Sequence, residues 1–253
     1  MEINGCRIQC LTFDLDDTLW ECAPVIIRAE TIFFEWLEQH FPQIATDFDM
    51  TSLTAHRCEV FAGFPNMSHD FSWLRQRWLE RLADEYRCDR DKLAVEGFRV
   101  FHQARNDVTL FDGAVAVLQA ASERYCTGSI TNGNADVGLV GIDHLFNFSV
   151  TAAGAGAAKP HPKSFQAAID SAQLSAEKFL HIGNDPERDV RGAANAGMHT
   201  LWINVGEEPW QGDDRPDMEL RYIRELLPLL HAAQDTSCRP TQELPGAHFE
   251  LVS

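Results

Sequence analysis

Cys10-Leu11-Thr12-Phe13-Asp14-Leu15-Asp16-Asp17-Thr18 is the stretch on which the fold turns. It opens as a buried-strand pattern and runs straight into Asp-x-Asp-x-Thr. Carboxylates this close raise each other's pKa by repulsion. A strand end with only a structural task rarely accepts that cost. A divalent cation removes it, and hard carboxylate oxygens are what Mg2+ prefers. Once the site is neutralised, one carboxylate is free to act as a nucleophile.

Outward from this segment the chain divides by composition. Residues Trp20 to Arg105 hold 14 of the 25 aromatics and read as helices, roughly Pro24–His40, Thr46–Ala62, Asp70–Tyr86 and Asp89–Asn106. Phe33, Trp36, Leu37 and Phe41 recur at helical spacing, as do Trp73, Arg77, Trp78 and Leu82. Such stripes are the packing faces of a helical bundle. From about Val108 helix and strand alternate. Gly113–Arg124, Pro162–Ala172 and Glu187–Ala196 read as helices; Cys126–Ile130, Phe146–Thr151, Phe179–Ile182 and His199–Asn204 read as strands.

That rhythm predicts an α/β fold, a Rossmann-like parallel sheet with helices on both faces. Residues 7–13 supply its first strand, and the helical block is an insertion after it. The expected division is a core of residues 1–19 and 107–232, a helical cap of 20–106, and a tail of 233–253. The tail, with Pro240, Pro245 and Gly246, reads as a surface arm or a partly disordered segment. In open parallel sheets ligands bind beyond the carboxyl ends of the strands. Asp14/Asp16, Thr131 and Asn184/Asp185 each follow a strand, so three polar clusters are expected on one edge.

The 253 residues carry a formal charge of −17. That argues against a nucleic-acid partner, which needs a basic face. An anionic substrate must then be drawn by a local cation or dipole. Seven scattered cysteines show neither CxxC nor zinc spacing and read as reduced thiols. With no signal-peptide pattern and no apolar run near ~18 residues, a cytoplasmic, non-membrane protein is expected.

Thr131-Asn132-Gly133 alone reads as a turn, but its place directly after a predicted strand makes it a candidate site loop, with the backbone N–H groups of Asn132 and Gly133 beside the hydroxyl. Lys159, in Ala158-Lys159-Pro160, is one of only four lysines in a chain that otherwise chooses arginine. As a compact cation beside Asp14 it could supply the local positive charge that the acidic surface lacks. His161 and Lys163 read as solvent or helix-start residues. Trp20 reads equally as core or as substrate contact.

Four motifs in this order resemble the haloacid dehalogenase superfamily: Asp14-x-Asp16-x-Thr18, Ile130-Thr131-Asn132, Lys159-Pro160, and Gly183-Asn184-Asp185-x-x-x-Asp189. The resemblance runs from about residue 7 to 231. The helical insertion looks like the superfamily's C1 cap. The nearest likeness is to its phosphatases of small phosphorylated metabolites. It implies a Mg2+-dependent phosphomonoesterase in which Asp14 attacks phosphorus and becomes an aspartyl-phosphate. Asp16 is then the acid/base, with its backbone carbonyl on the metal. Thr131, Asn132 and Lys159 would bind phosphate; Asp14, Asp16, Asn184 and Asp189 would form the metal site. Asn184 departs from the family pattern, which has Asp there, and leaves the site one charge short. Asp185 could then swing in through a water, and Asp189 could bind a metal water or orient Lys159.

Other readings stay open. A phosphomutase uses the same aspartyl-phosphate. A dehalogenase works without metal and has no need of Asp16. A carbon–phosphorus hydrolase would need a Schiff-base lysine from the cap, where Lys92 is the sole lysine. A non-catalytic metabolite-binding module is supported only by Asn184.

Overall fold

Strand β1 (Cys10–Phe13) is buried at every residue and lies in the middle of a six-stranded sheet. The others are β2 (Cys126–Thr131), β3 (Phe148–Thr151), β4 (Phe179–Gly183), β5 (His199–Ile203) and β6 (Met218–Leu220). The computed structural model describes residues 1–212 and 215–235. The strand order is β3-β2-β1-β4-β5-β6, and every pairing is parallel. Parallel strands must be covered on both faces, which is why β1, β2 and β4 are almost wholly buried.

Register carries the polar clusters to one edge. Phe13 pairs with Ser129 on one side and Ile182 on the other. Asp14 therefore leaves its strand beside Ile130–Thr131 and Gly183–Asn184. The Asp14 N–H still donates to the Ile182 carbonyl at 2.8 Å, so the nucleophile candidate is tied to the sheet by its backbone.

Between β1 and β2 lie α1 (Cys22–His40), α2 (Pro42–Asp47), α3 (Met50–Ala62), α4 (Phe71–Tyr86) and α5 (Gly97–Arg105), the last preceded by a wide helical turn at Lys92–Glu96. They bury their own apolar cluster around Phe33, Leu37, Trp78, Leu79 and Phe101. The sheet has separate clusters, one centred on Leu11, Phe13, Leu180 and Leu201, the other on Ile130, Phe165 and Phe179. Helices α6 (Ala114–Ser122), α7 (Pro162–Ala172) and α8 (Leu226–Asp235) belong to the sheet portion.

Several expected boundaries shift for local reasons. The helix expected over Thr46–Ala62 is two helices. Phe48 is extended, and Asp49 starts α3 with a capping box, its carboxylate taking the Ser52 N–H. The first strand begins at Cys10, because Cys6–Arg7 pairs in a hairpin with Glu2–Ile3. The helix expected at Glu187–Ala196 opens as a wide turn, Pro186–Arg191, before Gly192–Asn195. Strand β6 was not expected; Met218 and Leu220 are only partly buried, Glu219 is exposed, and the three carry no apolar run. The expected tail lies outside the described residues from 236 onward.

Candidate active site

Asp14 is 7% exposed and sits where three strand ends meet. Its Oδ1 accepts from the Lys159 ammonium at 2.6 Å. Lys159 also donates to Asp189 Oδ1 and to the Ile130 carbonyl, each at 2.6 Å. All three ammonium hydrogens thus have fixed acceptors. Burial would lower the Lys159 pKa, but Asp14 and Asp189 outweigh it and raise it. Burial pushes Asp14 up to about 7; Lys159 pulls against this and Asp189 adds to it.

Asp189 is the fixed partner of the three. Burial alone would raise its carboxyl, yet Lys159 and His181 hold it well below the usual carboxylate range. Its Oδ2 takes the Asp185 backbone N–H at 3.0 Å. Burial pushes the His181 imidazole down from its ordinary range, against the pull of Asp189. A carboxylate only accepts, so the ring donates from Nε2 to Asp189 at 3.2 Å and accepts at Nδ1 from the Thr12 hydroxyl at 2.9 Å. This packing needs a glycine at 183: a Cβ there would sit 2.3 Å from Asp189 Cγ.

The Lys159 loop is held from β2. The Asn132 side chain accepts from the Lys159 N–H at 2.6 Å and donates to its carbonyl at 2.9 Å. That amide is therefore a clamp on Lys159, using its oxygen and one of its two N–H hydrogens. Thr131 is 2% exposed, and its Oγ1 accepts from the Gly133 N–H at 3.0 Å. His161 caps the start of α7 through Lys163 N–H, as expected for a helix-start residue.

Asp16 is held differently. Both its oxygens accept from Arg105 Nη2, at 2.8 and 2.6 Å, and Oδ1 also accepts from Trp20 Nε1 at 2.8 Å. Trp20 is fully buried, so it is a core residue that holds Asp16. Arg105, at the end of α5, is 1% exposed, and its Nε and Nη1 are buried without a protein partner. Gly133 lets this pair approach, since a Cβ there would lie 2.5 Å from Asp16 Oδ2. Sequence reasoning missed Arg105 and His181 as site residues, and it offered the Gly133 N–H to a ligand where the structure gives it to Thr131 Oγ1. Arg105 is one of 17 arginines and lies 89 residues from its partner, which leaves no local signal.

Metal fit rests on Thr18. Its hydroxyl lies 3.2 Å from Asp14 Oδ2 and 3.2 Å from Asn184 Oδ1. One hydroxyl proton cannot serve both acceptors. Two oxygens therefore converge with a donor missing, which suits a hard cation. Among the described residues no group of three or more His, Cys, Asp or Glu side chains could hold a metal by itself. The amide oxygen of Asn184 and backbone oxygens would have to complete such a site. The Asp16 and Asp189 side chains are engaged elsewhere. The Asp185 carboxylate caps the turn that follows, accepting from the Glu187 and Arg188 N–H groups.

Asp14, Asp16, Arg105, Thr131, Lys159 and Asn184 border one cavity of about 560 Å³ between the sheet edge and the helical block. Its opposite wall includes Ile26, Glu30, Arg57, Phe61, Phe71 and Arg75. No helix among the described residues is long and apolar enough to cross a membrane. Cys6, Cys10, Cys22, Cys58, Cys88 and Cys126 are free thiols.

A family model described as haloacid dehalogenase-like hydrolase matches residues 8–197. The chain is similar to the 5-amino-6-(5-phospho-D-ribitylamino)uracil phosphatase of Escherichia coli (strain K12), at 28% identity over 88% of this chain and 97% of that protein. It is similar to the glyceraldehyde 3-phosphate phosphatase of Methanopyrus kandleri, at 32% identity over 87% and 96%. Among solved structures, that of a protein named 2-haloacid dehalogenase from Pseudomonas syringae pv. Tomato is 34% identical, with a TM-score of 0.82 over 90% of this chain and 99% of that one.

Proposed function

The chain belongs to the haloacid dehalogenase-like hydrolases, and from that premise we propose that it is a Mg2+-dependent phosphatase of a small phosphorylated metabolite. The observation that carries this reading is the Asp14–Lys159–Asp189 trio beside Thr131 at the mouth of a cavity. Relatives named as phosphatases of small phosphorylated metabolites support it. The core and cap division at residues 19/20 and 106/107 is part of the same proposal, with separate apolar clusters as its support.

Asp14 Oδ2 shares the Thr18 hydroxyl with Asn184 on the side that would hold the metal, so Oδ1, oriented by Lys159, is the oxygen assigned to attack phosphorus. The bond from Asp14 to phosphorus forms as the ester P–O bond breaks, and Asp16 gives the leaving alkoxide its proton. Water then cleaves the aspartyl-phosphate, with Asp16 taking the water's proton. Lys159, anchored by Asp189, balances the charge on Asp14 and on a phosphoryl oxygen; Thr131 Oγ1 and the Asn132 N–H donate to other phosphoryl oxygens. Arg105 is a positioning residue for Asp16. Asp14, Asn184 and the Asp16 backbone carbonyl would hold the metal. When bound, Mg2+ supplies Lewis-acid neutralisation of the phosphoryl oxygens.

The test is phosphate release from para-nitrophenyl phosphate. Turnover is expected to need Mg2+, to stop with EDTA, and to be lost in Asp14→Asn. Unchanged turnover in that variant ends the mechanism. A second reading, a 2-haloacid dehalogenase, is favoured by the likeness to the 34% identical protein of that name. Halide departs without a proton, so that chemistry leaves Asp16 and its Arg105 clamp without a task. Chloride release from 2-chloropropionate, with no phosphate release, would decide for it.

A further inference from the structure

The wall of the cavity facing Asp14 carries three charged side chains that the proposed chemistry does not use. Glu30 on α1 forms ion pairs with Arg57 on α3 and Arg75 on α4. Their side chains are only 14%, 13% and 6% exposed. Arg75 turns both terminal nitrogens to Glu30, and its guanidinium lies over the Phe101 ring. Arg57 gives one nitrogen to the same carboxylate and lies near the Trp78 ring.

Glu30 brings one negative charge against two guanidinium groups, so the trio keeps a net positive charge. An enclosed, uncompensated charge is costly, and an anion entering beside Arg57 removes that cost. The opposite end of the cavity has the reverse bias. There Asp14, Asp16, Asp17, Asp185 and Asp189 outnumber Lys159, Arg105 and Arg188. The cavity also exceeds what a phosphoryl group fills, and Ile26, Phe61 and Phe71 give it apolar surface for a carbon skeleton.

We propose that Arg57, backed by Arg75 and Glu30, is a subsite for a carboxylate on the organic part of the substrate, which makes the substrate class the phosphomonoesters of hydroxy acids. This rests on the reading above that the phosphoryl group sits at Asp14. A carboxylate carries the single negative charge that neutralises the trio, and a guanidinium fork matches its two oxygens. A second phosphate would bring excess negative charge to the same wall.

The experiment separates the two claims. Hydrolysis of para-nitrophenyl phosphate by the wild type reports on the phosphatase reading alone. Calorimetric binding to Asp14→Asn protein with Mg2+ reports on the subsite without turnover. The matched probes are 3-phosphoglycerate and glycerol 3-phosphate. The acid is expected to bind about ten- to a hundredfold more tightly, the worth of one charged hydrogen-bonded contact. Adding Arg57→Gln should bring the ratio close to one. Adding Glu30→Gln should increase it, because a competitor for Arg57 is gone; damage to the wall would lower both. Equal affinities, a ratio indifferent to Arg57→Gln, or no binding of either probe would overturn the subsite. Tighter binding of fructose 1,6-bisphosphate than of 3-phosphoglycerate would overturn the choice of carboxylate.

Discussion

Asp14 and Asp16 lie two residues apart and are held by different cations, Lys159 for one and Arg105 for the other. This split gives each carboxylate a separate test. In metal-free protein the Asp14 carboxyl is pushed up to about 7. Between about pH 4 and 7 the folded chain then keeps a proton that the unfolded chain has released. Stability falls as pH rises through that window, by up to about 1.4 kcal/mol per pH unit for one group. Asp189 acts with the opposite sign: its contribution is present above about pH 4 and is lost on further acidification. Chemical denaturation in EDTA from pH 4.5 to 7.5 should show a decline in wild type that Asp14→Asn removes; an identical decline in both would place the burden elsewhere. For Asp16 the probe is the leaving group. Arg105→Gln should cut kcat on alkyl phosphates by about 10²-fold, the usual worth of a positioned acid. It should cut kcat on para-nitrophenyl phosphate far less, because that leaving group needs little protonation. The placing of Asp14, Asp16 and Lys159 in one cavity was legible because each stands out from its local sequence, and that of Thr131 because it follows a predicted strand. Arg105 was not, because its meaning comes from a contact across 89 residues.

At the scale of elements, the sheet is what turns four scattered motifs into one site. The buried runs of β1, β2 and β4 announce themselves in the sequence, and their parallel register delivers Asp14, Thr131 and Asn184 to one edge. The helical block was legible for a related reason, its aromatic stripes. What escaped was short or governed by side-chain capping, such as β6 and the break before Asp49. Two substitutions test the elements separately. Phe33 is fully buried and packs on Trp36 and Trp78 in the helical cluster. Phe33→Ala should cost about 3–5 kcal/mol in denaturant titration. Gly183→Ala acts at the end of β4, where its new Cβ meets Asp189 and must displace it. The expected result is a large loss of kcat, since Lys159 loses its anchor. A variant with unchanged kcat would mean that Asp189 does not set the position of Lys159.

For the whole molecule the governing quantity is the charge of −17. A phosphate ester is an anion, so the protein's overall field opposes its approach, and the cations lining the cavity are few and, Arg188 apart, enclosed. Lys159 and Arg57 are both largely buried in the cavity wall, where they act at short range. The two influences therefore separate by distance. Raising ionic strength from about 0.01 M to 0.1 M shortens the screening length from about 30 Å to about 10 Å. That weakens the long-range repulsion while leaving buried contacts nearly untouched. The chain should accordingly show kcat/KM for an anionic ester rising severalfold with added salt over this range, and kcat nearly constant, since the bound state is little screened. An enzyme with a basic funnel behaves in the opposite way. Steady-state kinetics with an inert 1:1 salt at fixed Mg2+ would read this directly. A fall in kcat/KM would mean that the local cations govern encounter from farther out than their burial implies.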